Sequence, residues 1–163
     1  MKIIFDASSL INLINGEGFD VVLTIQDHQF YLGPLVYSEC GPDCEAKIKG
    51  AFDNNKLTLL NDNETTSSVF LDLLQRFRLG EGETECLAFS VGTDFGICSD
   101  DRRARQISES IIGKEKVTGS LGLLREAVQV GIVTAEEAFQ TYIRMKAAGG
   151  FLPDIDLVFF WNE

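Results

Sequence analysis

Acidic residues standing directly after short apolar runs are the first chemical signal in this chain. Asp6 closes KIIF, the pair Asp100 and Asp101 follows FGIC and Ser99, and Thr118 and Ser120 follow KEKV. If those runs are strands of an open parallel sheet, ligands bind beyond their carboxyl ends. One edge then collects three carboxylates and two hydroxyls. Carboxylates brought together without basic partners repel one another, and a hard divalent cation with oxygen ligands relieves that repulsion. Glu39, in the first turns after Pro34, offers a fourth acid from the same edge. Glu83 and Glu85, in GEGETE, begin the helix before FGIC. Two positions on a helix are about 200° apart, so both cannot face the edge, and the stripe Thr84, Leu87, Ala88, Val91 does not choose between them.

Each acid also has a plain local role. Asp6 can cap the helix after it, Asp100 or Asp101 can cap DRRARQI, and the GEGETE glutamates suit the positive end of their own helix. Taken singly, a cap is the more economical explanation. Four acids from separated segments meeting at one edge favour a metal site.

The stretch SDDRRAR adds Arg102, Arg103 and Arg105 beside that edge, with Arg102 and Arg105 on neighbouring positions of one helix face. They read as phosphate contacts, or as solvated side chains paired with Glu109. The chain carries a net charge of −11 over 163 residues, which would repel nucleic acid if it were spread evenly. Residues 99–125 carry six basic and four acidic side chains, a balance of +2 that leaves −13 on the remainder. Ser8, Thr118 and Ser120 are hydroxyls able to orient water or phosphate, although capping is the safer reading for Ser120.

The elements that must hold these residues follow from spacing. Strands are expected at Lys2–Phe5, 29–33, 56–60, 95–98 and 116–118. Helices are expected after Ser8 or Ser9 to near Gly16, over 19–26, from Pro34 to Asn54, over 65–77, over 83–91, from Asp100 to Ile111, over 120–130 and over 134–148. Ser120 and Thr134 are the expected caps of the last two. Short strands alternating with helices mean βαβ units, hence a three-layer α/β/α sandwich with a short-stranded, mainly parallel central sheet. Length and the absence of a linker or repeat predict one domain over 1–163. The aromatic end FLPDIDLVFFWNE (151–163) reads as a last packing element, or as a partner-binding arm.

No stretch reaches the roughly 18 apolar residues of a membrane span. MKIIFDASSL, with an aspartate inside its apolar run, does not read as a signal peptide, so a cytoplasmic protein is expected. Cys40, Cys44, Cys86 and Cys98 are expected to be reduced structural residues, the last two lying in apolar-patterned segments. His28 is expected at the surface beside a turn.

The pattern FDASSLINL, then Val36 to Glu39 as V-x-x-E, then GEGETECLAF and SDDRRAR, resembles the PIN-domain ribonuclease family, which includes the VapC-type toxins. GEGETECLAF, CSDDRRAR and VTGSLGLLREAVQVGIV are similar to one branch with a GE-x-E helix and a V-T-G-[ST]-L-G stretch, and the likeness covers roughly residues 1 to 133. The resemblance implies a metal-dependent endoribonuclease using Mg²⁺ or Mn²⁺, with Asp6 as first acid, Glu39 as second and Asp101, with Asp100 as a lesser candidate, as fourth. For the third acid the family spacing favours Glu83, 18 residues before Asp101, over Glu85, 16 before. Ser8 matches a small hydroxyl residue two after the first acid. The resemblance further implies 5′-phosphate and 3′-hydroxyl products, an RNA substrate, an antitoxin partner masking the acids and a homodimer. Two departures stand out: a glutamate at the third position, and a C-terminal segment without a counterpart. The main rival reading is a catalytically silent PIN-like protein-binding or regulatory module. A phospho-acceptor domain is disfavoured, because the acidic pair follows a late strand and no lysine ends the last one.

Overall fold

KIIF and FGIC become adjacent strands because both are apolar on alternate faces and buried on both, as parallel strands covered by helices must be. The computed structural model describes residues 1–61 and 67–161. Among them, β1 (Lys2–Phe5), β2 (Gln29–Leu32), β3 (Thr58–Leu59), β4 (Phe95–Cys98) and β5 (Val117–Thr118) form one parallel sheet ordered β3-β2-β1-β4-β5. In β1, Phe5 stands opposite Leu32 of β2 on one side and Cys98 of β4 on the other.

Helices α1 (Ala7–Asn15), α2 (Phe19–Val22), α3 (Pro34–Glu39), α4 (Pro42–Asp53), α5 (Ser67–Phe77), α6 (Glu81–Ser90), α7 (Arg102–Ile112), α8 (Ser120–Gln129) and α9 (Ala135–Ala147) flank the sheet. α1, α2, α8 and α9 pack on one another, as do α3, α5 and α6. The α/β architecture is the one expected, and the sheet, expected to be mainly parallel, is parallel in every pairing among the described residues. Its core is built on Ile3, Ile4, Phe5, Leu10, Leu13, Leu32 and Leu87, all fully buried. Each contributes about 1.5–3 kcal/mol by leaving water. Phe5 also stacks on Phe30 at 5.3 Å and meets Phe19 edge-on.

Several boundaries differ from expectation. The segment 19–26 is helical only to Val22, because the chain turns at Leu23 to Ile25. The helix from Pro34 is two helices, broken at Gly41 (φ 70°), where Pro42 starts the second. The third strand keeps only Thr58–Leu59, and Lys114–Lys116 is a 3-10 turn before β5. Residues 65 and 66 of the predicted fifth helix lie outside the described residues. Asp6, rather than Ser8 or Ser9, caps α1; the Ser9 hydroxyl instead donates to the carbonyls of Asp6 and Cys98. Gly119, rather than Ser120, caps α8, whereas Thr134 caps α9 in a reciprocal pair with Glu137.

The described part of the tail packs back: Leu157–Phe160 form a 3-10 turn against α8 and α9, with Phe160 fully buried. Residues 162 and 163 lie outside the described residues. His28 is not a plain surface residue; its ring is largely buried, edge-on to Phe30, and pairs with Glu126 at 2.8 Å. Among the described residues no helix is long and apolar enough to cross a membrane.

Candidate active site

The order of the strands reverses at β1: the chain moves outward through β2 and β3, then returns to β4 and β5 on the other side. The crevice beyond the carboxyl ends of β1 and β4 is the switch point at which open α/β sheets hold ligands. Asp6 and Ser99 are the first residues past those ends. The Asp6 N–H donates to the Cys98 carbonyl at 2.9 Å, which continues the ladder by one residue and fixes the carboxylate's position.

Asp6 lies at the floor, 3% exposed. Its Oδ1 accepts from the Ala7 N–H at 2.8 Å, and its Oδ2 accepts the Ser8 and Ser99 hydroxyls, both at 2.7 Å. Burial pushes the Asp6 carboxyl above its ordinary value; these three bonds oppose the rise, and the charge of Asp101 adds to it. Asp101, exposed, is the N-cap of α7 through Oδ1 and the Ala104 N–H at 2.7 Å.

The N-terminus of α6 gathers the other two acids. Glu83 reaches back to the Gly80 N–H at 2.9 Å, and Glu39, the last residue of α3, accepts from the Gly82 N–H at 2.9 Å. The helix N-terminus carries partial positive charge, and here it holds carboxylates where no cationic side chain does. A Cβ at position 82 would sit 2.7–2.9 Å from the Glu39 carboxyl group, so any side chain there would make Glu39 shift. Burial raises the Glu83 pKa, the Gly80 bond resists, and the charges of Asp6, Asp101 and Glu39 raise it further. Glu83 thus shares its electrostatic surroundings with the other three acids.

The remaining predicted residues have other work. Glu85 is 3% exposed and turned to α3, where it accepts from the Leu35 N–H at 3.0 and 3.1 Å and the Val36 N–H at 3.2 Å. Asp100 accepts from the Ser120 N–H at 2.8 Å, the Ser120 hydroxyl at 2.6 Å and the Asn12 amide at 2.8 Å, tying α1, β4 and α8 together. Ser120 is therefore a partner of Asp100, neither a cap nor an open hydroxyl. Ser8 donates to Asp6 and accepts the Asp100 N–H at 3.1 Å, which makes it a positioner of the acid. The Thr118 hydroxyl lies against Gly122 and donates to the Gly119 carbonyl at 3.4 Å.

Arg103 is not a free rim residue: it donates to the Phe77 and Arg78 carbonyls at 2.6 and 3.1 Å and closes the end of α5. Arg105 lies 4.0 Å from Glu109. Arg102 is exposed and has no hydrogen bond or ion pair among the described residues. Sequence reasoning missed Ser99, Asn12 and Gly82; the available signal was a hydroxyl at a strand end, and a glycine between two glutamates at a helix start.

The donor set of Asp6, Glu39, Glu83 and Asp101 is all oxygen and suits Mg²⁺ or Mn²⁺ by hardness. One carboxylate oxygen each of Glu39, Glu83 and Asp101 has no hydrogen bond among the described residues. As the side chains stand, no three Asp, Glu, His or Cys among the described residues are drawn together closely enough to hold one ion. The cysteines are not competing ligands: all four are free and buried, and burial lifts the Cys40 thiol to about 12 and those of Cys86 and Cys98 well above the ordinary range.

The DUF3368 family model, described as a PIN domain, matches residues 2–156. No curated protein and no solved structure matches the chain.

Proposed function

The chain belongs to the PIN-domain family, and from that premise we propose that it is a divalent-metal-dependent endoribonuclease, with Asp6, Glu39, Glu83 and Asp101 as its catalytic acids. PIN domains are in general nucleases. The observation that carries the proposal is the acid edge: four carboxylates from four separate segments, none ion-paired with Lys, Arg or His among the described residues. A charge cluster left without cations inside the protein is built to meet them from outside.

Mg²⁺ or Mn²⁺ held by these acids would activate water and offset the charge that develops on the phosphate. The chain's own residues do the positioning. Ser8, Ser99 and the Ala7 N–H fix both oxygens of Asp6, so that it does not swing when the site fills. The Gly80 and Gly82 N–H groups steer Glu83 and Glu39 while leaving an oxygen on each. Arg102, at the first position of α7, is the cation available to a flanking phosphate, and a guanidinium suits that role.

The silent-module reading would expect acids consumed by structural bonds. Asp100 and Glu85 are of that kind, whereas Glu39, Glu83 and Asp101 each keep an oxygen without a hydrogen bond among the described residues; Asp6, whose two oxygens both accept bonds, is assigned by its place at the switch point. A role as the toxin of a toxin–antitoxin pair, in which the partner inserts a basic side chain among the acids, follows from the VapC-like motifs and is part of the proposal. Incubation of end-labelled structured RNA with Mn²⁺ or Mg²⁺ tests the activity. Internal cuts with 5′-phosphate and 3′-hydroxyl ends, abolished by chelator, are expected; intact RNA across metals and substrates would reject the proposal.

A further inference from the structure

Phe151 is the most exposed large apolar side chain, at 97%. Singly exposed apolar residues are common and carry no message by themselves. Phe151 differs in how firmly its backbone is held. The Gly150 N–H donates to the Met145 carbonyl at 2.9 Å and the Gly149 N–H to the Lys146 carbonyl at 3.0 Å, closing α9 in a turn with Gly149 at φ 95°. A Cβ at Gly150 would lie 2.7 Å from the Asn12 amide oxygen and 2.8 Å from the Met145 carbonyl, so this glycine seats the turn directly on α1. Just downstream, the Tyr142 hydroxyl bridges the Pro153 carbonyl and the Ile155 N–H, and Lys146 pairs with Asp154. The ring is thus displayed by an anchored chain.

Phe151 stands at the edge of an open cavity of about 240 Å³ lined also by Ser8, Asn12, Asp101 and Arg102. Ser8 and Asp101 belong to the acid edge as well, so cavity and acid edge are continuous. Asn12 also holds Asp100, which fixes the turn's distance from the end of β4. The cavity is smaller than those that hold drug-sized ligands, about 300–1,000 Å³, and suits one planar ring. Its one cation without a partner among the described residues, Arg102, stands at the same opening.

We infer that Phe151 is a stacking platform for one unpaired nucleobase of the RNA next to the scissile phosphate, with Arg102 on the adjoining backbone phosphate. This deepens the nuclease reading and rests on it. An aromatic face accepts any base, so the platform selects for unpaired nucleotides rather than for sequence. It also explains how a strongly acidic chain holds RNA with few cations: stacking adds affinity that does not depend on charge.

The test is the affinity of full-length protein for short fluorescent single-stranded RNA in chelator, where cleavage does not interfere. Phe151→Ala should weaken binding about ten-fold or more, while Phe151→Tyr should restore it. An RNA lacking one base at the platform position should lose as much on the wild type and nothing further on Phe151→Ala. Exposure of the ring means that neither change should move the melting temperature. Unchanged affinity in Phe151→Ala, or equal losses on both proteins from the missing base, overturns the platform. Cleavage assays on the same proteins separate the two readings. Wild type that binds through Phe151 without cutting defeats the nuclease reading alone, and wild type that cuts with Phe151→Ala binding unaltered defeats the platform alone.

Discussion

Two sets of carboxylates lie along the carboxyl edge of the sheet and are used in opposite ways. Asp100 and Glu85 have both oxygens taken by hydrogen bonds and tie helices to the sheet or to each other. Asp101 and Glu83, one and two residues away from them, each keep an oxygen without a bond among the described residues, and the charge of Asp101 is among those that raise the Glu83 pKa. Neighbours in sequence therefore divide into clamp and cluster according to which backbone N–H groups surround them. An acidic motif locates the edge, and bonding separates the members of these two pairs; Asp6, with both oxygens bonded, is set apart by its place at the switch point instead.

The largest effect should come from breaking a clamp. Asp100→Ala removes three hydrogen bonds to a charged acceptor and should cost about 3 kcal/mol, roughly 6–12 °C in melting temperature. Asp101→Ala loses one helix cap and should cost about 1 kcal/mol. Thermal unfolding of the two variants decides, and equal losses would dissolve the distinction. Next, Mn²⁺ should stabilise the wild type by about 2.7 kcal/mol at a hundred-fold excess over its dissociation constant. That shift should vanish in Asp6→Asn and survive in Asp100→Asn.

A smaller effect concerns pH. Glu83 holds its proton to higher pH in the folded protein than its ordinary value of 4.5. The folded state therefore binds more protons than the unfolded one between 4.5 and the raised value, and stability falls as pH rises through that window. Glu83→Gln removes the penalty. It should leave metal-free stability unchanged below the ordinary glutamate range and raise it at neutral pH, by less than about 1 kcal/mol for a partly solvated group. Urea unfolding at both pH values checks this, and a gain confined to acid pH would contradict it. The smallest effect is expected at Arg103: its alanine variant should leave the salt dependence of RNA binding unchanged, whereas Arg102→Ala should reduce the slope by about one.

β1 and β4, and the acids placed at their ends, were legible because apolar runs followed closely by Asp are local features. Asp6, Glu39, Glu83 and Asp101 could be grouped from strand order and family spacing. What escaped depends on contacts between distant segments. Glu85 reaches Leu35 and Val36 across fifty residues, Arg103 reaches the end of α5, and Ser120 turns to Asp100. Nothing in their own surroundings announces those partners. The break at Gly41 was within reach, since Gly41 and Pro42 together interrupt a helix. The role of Ser99 was also within reach, as a hydroxyl beside an acid pair.

The most direct measurement is the metal-dependent rate of RNA cleavage by wild type, Asp6→Asn and Asp100→Asn, compared at a temperature where all three are folded. Asp6→Asn is expected to lose more than about 100-fold, beyond what altering a partner of a metal-binding side chain costs, while Asp100→Asn stays close to wild type. Undiminished cleavage by Asp6→Asn, or equal inactivation of both variants, would contradict the assignment of chemistry to the cluster and structure to the clamp.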